Sequence, residues 1–525
     1  MEKISVLDCT LRDGGYVNQW EFGEKNIPKI LNGLEYANID IIECGFLTNR
    51  IEHNKNLTKF NTIEEIENLI HKGNKNRTKY VCMINFGEYN IEDIPHNSKV
   101  LYGIRVAFHK KDLVEAIEFC EEIKKKGYQV FVQPMVTMSY TQEELTLLMK
   151  LVNKLKPYAV YIADSFGVMR SKDLMRLFYI MDYEIDEAIH IGYHSHNNQQ
   201  LALSNAQSLT EVITERKIII DTSVFGIGRG AGNLNTELFV DYLNGSFGTD
   251  FKIKPLMKII DQVLNKIYLS NYWGYSLPHY LSAQYNCHPN YASYLDDKKT
   301  LTYENMDEVL AQISEEKKNK FDKSYIENLY IQYMNKGKVR DRNLENLKQQ
   351  MTNKTALIIA PGKSAGIEKE KILMAYNPEN TVLFSINFNY EYLDVDYIFI
   401  SNMRRYEELE VKDKKLITTS NIDSNLAYIS MEYADLLNEI DDVKDNAGLM
   451  LIKMLIELGV KNFLLAGFDG YSIDSRKNFI NSDMTTVVSK SELYDRMNSG
   501  FEECLKEFSK KVSIKYITSH LYINF

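Results

Sequence analysis

The sequence predicts an α/β protein: a (β/α)8 TIM barrel, then a helical segment, then a second, open Rossmann-like α/β domain. Three observations carry this prediction. Between residues 4 and 228, eight apolar runs of strand length alternate with amphipathic stretches of helical period. Polar residues cluster at the C-terminal ends of those runs. From Thr355 a second alternation of strand and helix begins. A chain of 525 residues exceeds what one ordinary core organises, so several domains are expected. The boundaries read as 1–250 for the barrel, 251–350 for the helical extension and linker, and 351–525 for the Rossmann-like domain.

The eight runs are Ile4–Asp8, Ile39–Phe46, Lys79–Phe86, Leu101–Phe108, Gln129–Met135, Tyr158–Ser165, Ile189–His196 and Lys217–Gly228. Near-continuous apolar strands, each followed by a helix, indicate a parallel sheet buried on both faces. Closing eight such units gives a barrel, and a segment of about 230 to 280 residues suits one; an open doubly wound sheet is the structural rival. Asp112–Lys126 and Thr141–Lys154 show apolar residues at helical spacing, and Gly127 marks a helix stop.

In a barrel the C-terminal strand ends share one mouth, where active sites lie. Arg12 and Asp13 follow the first strand, Glu43 lies late in the second, Gln133 in the fifth, Asp164 and Ser165 on the sixth, and His194 and His196 on the seventh. Residues two apart on a strand face one way, so His194 and His196 aim at one point. Two imidazoles and the Asp13 carboxylate, with open positions left over, make a site for a catalytic divalent cation. The bland alternatives are a pair of hydrogen-bonded core histidines and, for Arg12, a strand-end salt bridge.

After the eighth run comes Gly226–Glu237, with four glycines within seven residues. Such a stretch turns tightly and approaches a ligand closely. Residues 252 to 350 read as helical, with an aromatic-rich run holding Trp273, His279, Tyr285, His288 and Tyr291 that is read as a packing layer from which His288 or Tyr285 could reach the mouth. In the second domain, strands are predicted at Thr355–Ile359, Thr381–Ile386, Asp396–Ser401, Lys415–Thr419, Lys461–Gly467 and Lys515–Thr518. The first runs into Ala360-Pro361-Gly362-Lys363-Ser364-Ala365-Gly366, a turn that could cradle a phosphate at a helix start or simply join strand to helix.

Composition narrows the function classes. Hydrophobic residues at 44% and charged residues at 26% describe a soluble globular protein. A net charge of -10 argues against nucleic acid or an anionic membrane as partner. No run reaches the roughly 18 apolar residues of a membrane span, and no signal peptide is visible at the N-terminus. Six scattered cysteines fit reduced thiols and a cytoplasmic location.

Three stretches, Leu11-Arg12-Asp13-Gly14, His194-Ser195-His196-Asn197 and Gly230-Ala231-Gly232-Asn233-Leu234, together resemble the DRE-TIM metallolyase superfamily (HMG-CoA lyase-like). That group includes 4-hydroxy-2-oxovalerate aldolase, 3-hydroxy-3-methylglutaryl-CoA lyase and the isopropylmalate and homocitrate synthases. The resemblance covers residues 1–290, and Leu7 to Tyr16 is most similar to the aldolase branch. It implies Asp13, His194 and His196 as ligands of Mn²⁺ or Mg²⁺, Asn233 or water approaching the same ion, and Arg12 steadying an enolate. Tyr16 stands where these aldolases carry a histidine, so the proton acceptor is open between Tyr16, a metal-bound water and His288.

The implied activity is an aldolase cleaving or forming a 4-hydroxy-2-oxo acid, from pyruvate and an aldehyde, through a metal-stabilised enolate. The alternatives are an acyl-CoA Claisen enzyme of the same superfamily and a non-catalytic barrel serving as scaffold for the C-terminal domain. In that domain, Asn446-Ala447-Gly448-Leu449-Met450 through Leu464-Leu465-Ala466-Gly467-Phe468-Asp469 resembles sialyltransferase-like Rossmann-type domains, which implies a nucleotide or nucleotide-linked sugar. The expected partners are thus a small 2-oxo acid and an aldehyde, with a homo-oligomer and a nucleotide at the second domain left open.

Overall fold

Eight parallel strands close into a barrel in the computed structural model, which describes residues 3–70, 78–98, 100–409, 414–485 and 492–523. The strands are β1 Ile4–Asp8, β2 Ile41–Leu47, β3 Lys79–Asn85, β4 Leu101–Phe108, β5 Gln129–Pro134, β6 Ala159–Asp164, β7 His190–Ser195 and β8 Ile218–Thr222. They pair in the order β1-β8-β7-β6-β5-β4-β3-β2, and β1 meets β2 through Leu7 opposite Ile41 to complete the ring. A two-residue strand, Lys59–Phe60, is added along β2. Gly45 makes that possible: its φ is +146°, and a Cβ there would lie 2.0 Å from the Thr58 carbonyl oxygen.

The period of two sorts each strand's side chains between the barrel interior and the outer helix layer. Leu7, Ile41, Val81, Phe131, Tyr161 and Ile219 fill an inner apolar layer. Two residues further along β2, β4, β5 and β8 come Glu43, Arg105, Gln133 and Asp221, all buried. An interior apolar floor therefore carries a polar layer directly beneath the mouth. Outward residues such as Ile104, Val106 and Phe108 belong to the larger core shared with the helices. Leu113–Lys125 buries Ala116, Cys120 and Ile123 against it, and Gly127 ends that stretch at φ +96°. Thr141 and Glu144 form a capping box at the start of Gln142–Leu155.

The eighth strand is shorter than its apolar run. It stops at Thr222, and Val224–Gly226 forms a tight turn with Phe225 at φ 58°. Val224 and Ile227 are buried, so the run is apolar because the turn is in the core.

The chain divides into two compact units, one of residues up to 290 with 318–320, the other of 291–317 and 321 onward. The stretch 251–350 is divided between the two units, and its apolar residues are buried in two different cores. Leu256, Ile259, Val263, Leu264 and Trp273 join the barrel core, whereas Met306, Val309, Ile326 and Tyr330 are buried within the second unit. Among the described residues no helix is long and apolar enough to cross a membrane.

The second unit holds an open, all-parallel sheet of β9 Thr355–Ile359, β10 Thr381–Ile386, β11 Tyr397–Ile400, β12 Lys415–Thr419, β13 Ala427–Met431, β14 Asn462–Ala466 and β15 Ser513–Tyr516. Their order is β13-β12-β11-β10-β9-β14-β15, and Leu357, Ile359, Leu383, Ile398 and Ile400 sit in its core. The turn over residues 360–366 closes on the protein's own carboxylate. Asp469 accepts from the Ser364 amide at 2.8 Å and from the Ser364 hydroxyl, and the helix that follows, Ser364–Ile367, has four residues. Both donors of Ser364 in that turn are thus engaged by Asp469.

Candidate active site

The mouth of the barrel gathers the residues that the sequence singled out. Asp13 leaves β1 in a short helical turn, Thr10–Asp13, while His194 is on β7 and His196 just past its end. One ligand atom from each of Asp13, His194 and His196 lies within 4.8 Å of the others, and all three residues are buried. The two imidazole rings stand 5.2 Å apart, nearly perpendicular.

Each ring is held from behind. His194 Nδ1 is 3.0 Å from Asp221 Oδ2, and His196 Nδ1 is 3.2 Å from the Arg229 carbonyl oxygen. Both Nε2 atoms are thereby left for a ligand, the arrangement metal-binding histidines use. Burial lowers His196 to about 3 against the pull of Asp13, so the ring is neutral. Burial alone would raise Asp13, yet Arg12, His196, His194 and Arg229 outweigh it and hold the carboxyl well below its usual range. Two imidazole nitrogens and a carboxylate oxygen are the donor set a hard or borderline divalent cation takes, so these residues fit such an ion.

Asn233 is brought to the same point by the glycine-rich loop. Its Nδ2 donates to Asp13 Oδ2 at 2.6 Å, and its Oδ1 is buried without a hydrogen-bond partner. Gly228 has to be small here, since a Cβ would meet Asn233 Nδ2 at 2.5 Å and Asp13 Oδ2 at 2.9 Å.

Arg12 is anchored by Glu43, its Nε donating to Oε2 at 2.7 Å, and its Nη1 donates to Asp13. Its Nη2 is buried with no partner. Glu43 Oε2 also forms an ion pair with Arg105 Nη1 at 3.1 Å. Arg105 continues to Asp221 and, at 3.0 Å, to Gln133 Oε1, with its guanidinium 4.5 Å from the centre of the Tyr161 ring. One buried chain of alternating charges, Asp13, Arg12, Glu43, Arg105, Asp221, therefore runs from the first metal-ligand candidate to the ring of the second.

Tyr16, one helical turn beyond Arg12, packs on Trp20 at 4.7 Å and is 37% exposed. Desolvation of its hydroxyl raises its pKa, with the Arg229 charge pulling the other way. His288 reaches the mouth, where Nε2 is 3.4 Å from Arg229 Nη1 and Nδ1 accepts from the Asn290 amide. Burial and the Arg229 charge push it well below its ordinary value. Asp164 turns back to cap its own loop, accepting from the Val168 and Met169 amides at 2.9 and 3.0 Å. Ser165 gives its carbonyl to Arg229 at 2.8 Å. Trp273 packs as expected of a layer residue, its indole donating to the Phe225 carbonyl.

Arg105, Asp221 and Arg229 were not among the expected site residues. The available signal was a charge inside an apolar strand for the first two, in LYGIRVAF and KIIIDT.

Residues 3–263 match the family described as HMGL-like. A 4-hydroxy-2-oxovalerate aldolase from Geobacillus genomosp. 3 is 26% identical over 250 residues, 46% of this chain and 71% of the relative. An oxaloacetate decarboxylase from Mycobacterium tuberculosis is 24% identical over 45% of this chain and 68% of its own length. Among solved structures, the N-terminal domain of a candidate aldolase from Bacteroides vulgatus is similar with a TM-score of 0.50 and 26% identity, over 57% of this chain and 98% of that one.

Proposed function

Residues 3–263 of this chain belong to the HMGL-like family, and from that premise we propose that the barrel is a divalent-metal-dependent carbon–carbon lyase, an aldolase that interconverts a 4-hydroxy-2-oxo acid with pyruvate and an aldehyde. The convergence of Asp13, His194 and His196 within 4.8 Å at the barrel mouth carries the reading. A Mn²⁺ or Mg²⁺ ion held by these three side chains, with Asn233 Oδ1 as a further oxygen donor, would supply Lewis-acid polarisation of the 2-oxo carbonyl.

The remaining work falls to protein groups. Arg12 spends Nε and Nη1 on Glu43 and Asp13, which fixes the guanidinium and leaves Nη2 to donate where negative charge collects as C3–C4 breaks. A preorganised donor at that place is worth about 10²- to 10³-fold in rate. Arg12→Lys keeps the charge but cannot hold two carboxylates and still offer a third donor. It is expected to lower kcat by about 10²-fold, read from initial rates at saturating ion.

Tyr16 moves the C4 hydroxyl proton, giving it to the aldehyde oxygen in condensation and receiving it in cleavage. The Arg229 guanidinium, 5.6 Å from the ring centre, stabilises the anionic form. Tyr16→Phe is expected to lower kcat by about 10²- to 10⁴-fold with little change in KM. His288, turned toward Arg229, positions that arginine. Six buried free cysteines suit a reducing compartment, and we place the enzyme in the cytoplasm.

The test is pyruvate release, coupled to lactate dehydrogenase, across a panel of 4-hydroxy-2-oxo acids with Mn²⁺ or Mg²⁺ and then with EDTA. Ion-dependent release abolished by EDTA supports the reading. Release that ignores EDTA contradicts it, and free thiol formed from acetyl-CoA with a 2-oxo acid would point instead to the acyl-CoA chemistry.

A further inference from the structure

We infer that the substrate carries a second anionic group, on its aldehyde-derived half, and that Arg229 receives it. This rests on the lyase reading above and adds to it the charge class of the substrate.

Arg229 differs from the other two guanidiniums of the mouth. Arg12 is paired with Asp13 and Glu43, and Arg105 with Glu43 and Asp221. The partners of Arg229 are all uncharged: the Ser165 carbonyl at 2.8 Å, the His288 ring at 3.4 Å and the face of Tyr16 at 5.6 Å. Its Nε is buried with no hydrogen-bond partner. Among the described residues no carboxylate pairs with it. A partly buried guanidinium with no carboxylate paired directly to it is costly, and arginine's forked donors match a carboxylate or phosphate.

Charge balance points the same way. Arg12, Arg105 and Arg229 are offset by Asp13, Glu43 and Asp221, three guanidiniums against three carboxylates. A divalent ion adds two positive charges. A 2-oxo acid with one carboxylate cancels one of them, and a second anionic group cancels the other.

Position assigns the half of the substrate. The Arg229 carbonyl holds the His196 ring, so the residue borders the reacting centre, while its guanidinium lies over Tyr16, the group assigned to the C4 hydroxyl. Beyond C4 is the aldehyde half.

The experiment measures pyruvate release by the full-length, Mn²⁺-loaded protein from three 4-hydroxy-2-oxo acids of similar length, ending in a methyl, a carboxylate or a phosphate ester. The wild type is expected to favour one acidic end over the methyl end by about 30-fold in kcat/KM, the worth of a charge-assisted pair, and the preferred end distinguishes carboxylate from phosphate. Arg229→Gln is expected to collapse that ratio toward one, and Arg229→Lys to restore part of it. Equal use of all three ends by the wild type, or an unchanged ratio in Arg229→Gln, overturns the inference and leaves the lyase reading standing. Pyruvate from none of the three overturns both.

Discussion

Asp13→Asn is expected to lower kcat by at least about 10⁴-fold and to remove tight divalent-ion binding, an effect of more than about 5 kcal/mol on the transition state. Asp13 supplies the negative charge in the ligand set, and the two other ligand candidates are imidazoles. Its carboxylate is also engaged by Arg12 and by Asn233, so the amide would lose the ion and leave the Arg12 guanidinium held only by Glu43. Far-ultraviolet circular dichroism would show the fold retained while activity disappears. Activity within tenfold of wild type would mean that the carboxylate is not a ligand.

The largest effect on stability is expected for Arg105→Met, which removes the positive charge between Glu43 and Asp221. Both carboxylates and the arginine are essentially inaccessible, at 1%, 1% and 0% exposure. Breaking a buried pair from one side costs about 3 to 5 kcal/mol, because the orphaned charge stays in a low-dielectric interior. Burial would raise Asp221, and Arg105 and the His194 hydrogen bond hold it down instead. The variant therefore also loosens the group that orients the His194 ring, with an expected 10- to 100-fold loss of metal affinity. The chain's two tryptophans, Trp20 and Trp273, both lie in the barrel unit, so their fluorescence in urea follows that unit alone. An unchanged midpoint would show that the chain of charges does not carry the stability assigned to it.

Much of the barrel was legible because parallel strands buried on both faces must be almost continuously apolar. Ile4–Asp8 and Leu101–Phe108 begin and end where their apolar runs do. The last strand overran because apolar character reports burial rather than backbone geometry, and the buried turn at Val224–Gly226 has the same composition as a strand. In the second unit Ala427–Met431 escaped notice. It lies at the sheet edge, is only partly buried, and has a register shift against its neighbour, so it lacks the unbroken apolar run that marked the others.

The site was legible where residues are neighbours in sequence or meet at strand ends. His194 is on β7 and His196 just past its end, and Asp13 follows a strand whose end opens on the same mouth. Arg105 and Asp221 are 116 positions apart, and a lone charge in an apolar strand does not say which opposite charge it will meet. Arg229 was hidden differently. In a glycine-rich turn an arginine ordinarily faces solvent, and only the folded loop shows its guanidinium turned onto Tyr16 and His288.

Manganese binding followed by electron paramagnetic resonance tests the central claim most directly, since free Mn²⁺ gives a sharp signal that is lost on coordination. Wild-type protein is predicted to take up one ion per chain, and the His194→Ala, His196→Ala double variant, still folded, to take up none at the same concentration. Undiminished uptake by the double variant would place the ion elsewhere and contradict the account.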